Sequence, residues 1–190
     1  MMAAMDPPGI TRHRRPFLAP LWLTLLALVV AAGIVYAIYR DAATTVVVLA
    51  SSGEKDPGTI DDPPISAEGE RRAQRLAQMF APGGAGPGRL AALYASGERR
   101  TQQTAAPLAE LLHLTPSVYD SKEAASVAAR LLRSHQGSAV LVVGSSAALQ
   151  QFLRQLTASR DSPPAAGDPD LLYIVTVPSF GRAQVLRLKY

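Results

Sequence analysis

The chain has 190 residues, 48% of them hydrophobic, and a formal charge of +4, which leaves room for one ordinary domain plus one further segment. With no cysteine, it has no disulfide framework, thiolate metal site or cysteine nucleophile. The sequence pI of 9.7 would suggest a nucleic-acid partner, but half of the net charge lies in residues 1–16, where three arginines stand against one aspartate, and the remainder is too dispersed for a nucleic-acid footprint.

After the tail of residues 1–16, residues 17–39 read FLAPLWLTLLALVVAAGIVYAIY, with no charged side chain. As a helix this run is about 34 Å long, enough for a hydrocarbon core of roughly 30 Å. Trp22 near one end and Tyr36 and Tyr39 near the other suit the membrane interface, and Pro20 falls in the first turn, where its missing N–H costs little. A cleaved secretory signal would have a shorter apolar core and a small-residue site after it, so the segment reads as an uncleaved signal anchor. Arg12, Arg14 and Arg15 precede it, whereas Arg40 beside Asp41 follows. The positive-inside rule therefore predicts a cytoplasmic N-terminus and an extracytoplasmic domain, periplasmic in a Gram-negative bacterium.

A linker at 40–44 leads into a domain at 45–190. Strands are predicted at 45–50, 90–95, 117–119, 139–143, 171–177 and 183–189, from β-branched and alternating runs. Helices are predicted at 67–80, opening at the cap Ser66, and at 99–112, 121–134 and 146–158. The stretches PGGAGPG (82–88) and SRDSPPAAGDPD (159–170) are too polar and turn-rich to bury much surface and read as mobile loops. Alternation of strand and helix predicts an α/β fold: a three-layer α/β/α sandwich with a mostly parallel six-stranded sheet. The short turn 178–181 makes the last two strands an antiparallel C-terminal hairpin.

Two strands stop at serine pairs: TVVVLASSGEK (45–55) and VLVVGSS (140–146). Between them lies SGERRTQQTAAPLAELL (96–112), and ahead of that DDPPISAEGERRAQRLAQ (61–78). Together these resemble the histidine phosphatase (phosphoglycerate-mutase-like) superfamily, in its short single-domain branch. That family's first strand ends Leu-Val-Arg-His-Ala/Gly-Glu and its later one Val-Gly-His. Its middle segment reads Ser-x-x-x-Arg-Thr-x-Gln-Thr-Ala, and the helix opens Pro-Leu-Thr-x-x-Gly-x-x-Gln-Ala. The resemblance implies that Ser52 stands where the family has its nucleophilic histidine, Ser51 where it has an arginine and Ser145 where it has the second histidine. Arg100 is the one of these four positions to keep the family's residue.

Open sheets of this kind bind ligands beyond the carboxyl ends of their strands, where Ser51, Ser52, Ser145 and Ser146 fall. A serine hydroxyl needs a general base or a metal to act as nucleophile. Of the histidines, His13 precedes the apolar run, and His113 and His135 sit where helices end and read as structural. No His or acidic cluster has ligand spacing, so neither a metal nor a cofactor is expected. Glu54, Asp120 and Glu123 are the acids nearest the site, with no motif to choose a general acid among them, and Lys55 fixes no dyad with Ser52. Arg100, opening a helix beside free backbone N–H groups, reads as an anion site shared with the Ser52 and Ser145 hydroxyls. Thr101 and Thr104 would serve the start of that helix and its packing.

Three readings follow. The first is a membrane-anchored pseudophosphatase that holds a phosphate-like anion or a protein partner at the old site without turnover. The second is an active phosphomonoesterase or phosphohistidine phosphatase with a substitute nucleophile. The third is an interaction domain with a vestigial site.

Overall fold

The computed structural model describes residues 19–41, 44–56, 62–84, 86–157, 171–179 and 181–190. The tail 1–16 with His13, residues 42–43 of the expected linker and the loop 159–170 lie outside the described residues. The chain divides into two units between Tyr39 and Arg40. Helix α1 runs Ala19–Asp41, all but its last two residues in the first unit, and the side chains described in it, residues 21–37, are all exposed. Among the described residues no helix is long and apolar enough to cross a membrane. The fold therefore does not support the transmembrane helix expected at 17–39.

In the second unit the strands are β1 (Thr45–Ser51), β2 (Leu90–Ser96), β3 (Ser117–Tyr119), β4 (Ala139–Gly144), β5 (Leu171–Val177) and β6 (Gln184–Lys189). They form one sheet in the order β3-β2-β4-β1-β5-β6. The helices are α2 (Ala67–Met79), α3 (Arg99–Leu112), α4 (Ala124–Ser134) and α5 (Ser146–Thr157). β1 is the centre because its run VVVLA is apolar on both faces, and Val47, Val48, Leu49 and Ala50 are fully buried. The period of two along a strand sends Val47 and Leu49 to one face, against Val127, Leu131, Leu149 and Phe152 of α4 and α5. Val48 and Ala50 go to the other, against Leu76, Ala77 and Leu108 of α2 and α3. The expected three layers follow from these two cores.

The sheet is mixed rather than mostly parallel. β3, β2, β4 and β1 are parallel neighbours, but β5 is antiparallel to β1 as well as to β6. Leu172, Tyr173 and Val175 of β5 are buried, so β5 covers the open edge of β1, and a fully apolar run carries no mark of the direction in which it will do so. The expected hairpin is present as β5 and β6. The helix expected at 121–134 opens with a separate 3-10 turn, Ser121–Glu123, because the Asp120 carboxylate accepts from the Lys122 N–H at 2.9 Å. The stretch expected as a mobile loop at 82–88 is a series of turns in its described part. The Gly84 N–H donates to the Ala81 carbonyl and the Gly86 N–H to the Met79 carbonyl, both at 2.8 Å.

Candidate functional site

Register brings the three serines together. Ser51 ends β1 opposite Gly144, the last residue of β4, and the Ser52 N–H donates to the Gly144 carbonyl at 3.0 Å. Ser145 follows Gly144 directly, and its carbonyl accepts from the Leu149 N–H at 2.9 Å, so it opens α5. Ser52 is buried, whereas Ser51, Ser145 and Ser146 are half-buried. Gly144 has a steric cause: a Cβ there would collide with the Tyr119 hydroxyl, which donates to the Val143 carbonyl at 3.2 Å. Burial first, and the Glu98 carboxylate second, push the Tyr119 pKa well above its ordinary 10.0, so the phenol stays a donor.

α3 is fastened to the same loop. The Gly53 N–H donates to Thr104 Oγ1 at 2.9 Å, and Thr104 Oγ1 donates to the Arg100 carbonyl at 2.7 Å. Thr104 thereby sets the first turn of α3 beside the end of β1. Thr101 is fully buried and its Oγ1 accepts from the Ser96 hydroxyl at 3.0 Å. Both threonines serve the helix start and its packing, as expected.

The expectation of free N–H groups at the start of α3 needs correction. The Arg99 N–H donates to the Asp62 carboxylate at 2.9 Å, and the Thr101 N–H to the Glu98 carbonyl at 3.0 Å. The Arg100 guanidinium, about a third exposed, faces the Glu98 carboxylate, Nη2 to Oε2 at 3.5 Å. The other Glu98 oxygen accepts from the Ser121 hydroxyl at 3.0 Å. A cleft of about 520 Å³ opens beside this group, lined by Gly97, Glu98, Val118, Tyr119, Asp120, Ser121 and Lys122.

The acids singled out from the sequence separate into different roles. Glu54 is neither a freely solvated charge nor placed as a proton donor: its carboxylate pairs with the guanidinium of Arg72, which is only 4% exposed. Asp120 caps the 3-10 turn, and Glu123 is exposed, with its carbonyl accepting from the Ser126 hydroxyl. Lys55 is exposed and bridges to Ile65 through backbone alone. His113 caps the C-terminus of α3 in a left-handed conformation with φ 53°. His135 caps α4, and its Nε2 lies 3.0 Å from the Tyr94 hydroxyl. The His135 carbonyl accepts from Thr45 at the start of β1. His113 and His135 are thus a helix or a strand length from the serines, about 20 Å by the rise of either element.

Arg72, Glu98, Asp62 and Tyr119 were not singled out from the sequence. Only Arg72 carried a signal there. It stands where the family's helix opening has glutamine, and it lies on the inward stripe Gly69, Arg72, Ala73, Leu76, Ala77, where a charge demands a partner. The chemistry left at the strand ends is that of hydroxyls, backbone groups and one arginine already facing an acid. Among the described residues no group of three or more His, Cys, Asp or Glu could hold a metal ion.

Residues 50–122 match the Histidine phosphatase superfamily (branch 1). No curated protein matches the chain by sequence. Among solved structures, the protein histidine phosphatase SixA complexed with tungstate has a TM-score of 0.62 at 15% identity, covering 76% of this chain and 96% of that one. A putative alpha-ribazole-5'-P phosphatase from Escherichia coli gives 0.60 at 16% identity, over 77% and 96%. Phosphoserine phosphatase from Entamoeba histolytica, in complex with 3-phosphoglyceric acid, gives 0.59 at 14%, over 77% and 97%. At such identities the likeness of these structures is one of fold. The sequence match takes in the serine end of β1, the opening of α2 and the middle segment, from which the resemblance to the superfamily is read, while the end of β4 lies beyond it and the solved structures agree in fold.

Proposed function

We propose that this histidine-phosphatase-fold domain is a pseudophosphatase, able to hold a phosphate-like anion or a partner at the strand ends and unable to turn a phosphoester over. The observation that carries the reading is the environment of Ser52. Its position at the end of β1 suits a nucleophile, but among the described residues both histidines cap helices about 20 Å away. Glu54, the nearest acid in the chain, is committed to Arg72. A serine without a base or a metal is a poor nucleophile at neutral pH. Arg100 supplies the remaining cation for an oxyanion, with hydroxyls from Ser52 and Ser145 as weaker donors. Tungstate bound to SixA is in keeping with an oxyanion site on this fold.

The test is hydrolysis of a generic phosphomonoester and of a phosphohistidine peptide by the purified full chain. The proposal expects no turnover and no difference between wild type and Ser52→Ala. Turnover that disappears in Ser52→Ala overturns it in favour of a substitute nucleophile.

The proposal includes a membrane anchor at residues 17–39. It is supported by the uncharged sequence of that run, which as a helix would be about 34 Å long. The arginines ahead of it orient the domain outward. Protease added to intact spheroplasts should digest the C-terminal domain, and protection of the domain would overturn the orientation.

A further inference from the structure

The retained arginine already has an anion. Glu98, the residue that precedes α3, directs one carboxylate oxygen to Arg100 Nη2 at 3.5 Å and receives the Ser121 hydroxyl on the other at 3.0 Å. Its side chain makes no capping bond to its own helix, so its ion pair is with the site arginine and its hydrogen bond with the turn after β3, while its charge also acts on Tyr119. The Ser121 contact reaches across from the 3-10 turn that Asp120 caps, which anchors the carboxylate from outside α3. We infer that Glu98 is an internal ligand of Arg100 and sets the site's affinity for anions, so that an oxyanion binds only by displacing it. The inference rests on the proposed anion-holding role and adds the residue that regulates it.

The physical case is one of opposing small terms. Arg100 and Glu98 are each about one-third exposed, and a pair at that exposure is weak. A ligand can therefore displace it. A doubly charged phosphate approaching Arg100 also meets the Glu98 charge a few ångströms away, a repulsion less screened at the protein surface than in bulk water. Losing the competitor and losing the repulsion act in the same direction. Together they are on the order of a tenfold change in dissociation constant.

The experiment titrates the full chain with inorganic phosphate and, separately, with tungstate, reading affinity by calorimetry and by protection against thermal unfolding. Glu98→Gln should bind both about tenfold more tightly than wild type. Ser121→Ala, which frees the carboxylate from its outer anchor, should shift affinity by less. Glu110→Gln removes an exposed acid from the far part of α3 and should leave binding unchanged, which separates a local effect from one of net charge. In the double variant Glu98→Gln with Arg100→Ala the gain should vanish. Equal affinity of wild type and Glu98→Gln, or a gain that persists without Arg100, overturns the inference. The two ideas fail separately: hydrolysis lost in Ser52→Ala sinks the pseudophosphatase reading, whereas an absent gain without hydrolysis sinks only the role of Glu98.

Discussion

Two arginines flank the loop that follows β1, and they are held in opposite ways. Arg72, on α2, is 4% exposed and pairs with Glu54 of that loop; Arg100, on α3, is 30% exposed and faces Glu98 across 3.5 Å. The first is built into the fold, since the Arg72 guanidinium is out of water and would be left uncompensated without Glu54, itself 33% exposed. The second can exchange its carboxylate for another anion, because a pair whose two members are both about one-third exposed contributes little to stability. One cation is therefore structural and the other is free to serve binding, although both lie beside the same loop.

The comparison breaks first at Arg72. Removing its partner in Glu54→Ala leaves the buried guanidinium uncompensated and should destabilise the domain by about 3 kcal/mol, a cost reduced in Arg72→Gln with Glu54→Gln, as read by chemical denaturation. Gly144→Ala comes next. Its Cβ meets the Tyr119 hydroxyl, so a loss of about 2 kcal/mol is expected, most of it recovered in the double variant with Tyr119→Phe.

Tyr119→Phe alone removes the bond to the Val143 carbonyl and should cost about 1 kcal/mol. It also alters the response to alkali. The folded pKa of Tyr119 lies above the ordinary 10.0, so its contribution is whole below about pH 10 and is lost as pH rises beyond that value, where the unfolded chain ionises first. Thermal melts of wild type should decline more steeply above pH 10 than those of Tyr119→Phe. Arg100→Ala is the smallest, within about 0.5 kcal/mol of wild-type stability. That change should nevertheless abolish protection by phosphate, which sharpens the contrast with Arg72.

Local pattern made the frame legible. The valine-rich β1 and β4, the amphipathic stripes of α2 and α4 and the cap Ser66, which accepts from the Gly69 N–H, stand close to where the sequence places them. The serine ends of β1 and β4 also met as expected, because adjacent parallel strands in register bring their last residues side by side. The direction of β5 was not legible, since an apolar run covers an edge equally well in either direction. Nor were the partners of Glu54 and Glu98 legible. Arg72 lies 18 residues after Glu54, beyond the segment that joins β1 to α2, and Ser121 lies 23 after Glu98, brought near only when α3 and β3 have intervened. Charge pairs of this kind depend on tertiary placement, whereas strands and helices follow from neighbours a few residues apart.

Phosphoenzyme formation tests the central claim most directly. Wild type, the double variant Ser52→His with Ser145→His, and the triple variant that adds Ser51→Arg are incubated with a phosphomonoester and examined for phosphohistidine and turnover. The account predicts neither in wild type, little in the double variant, and a clear gain only in the triple, because attack needs a nucleophile together with cations around the phosphoryl oxygens. Robust wild-type turnover, or a triple variant that folds and binds phosphate yet stays as inert as wild type, would contradict it.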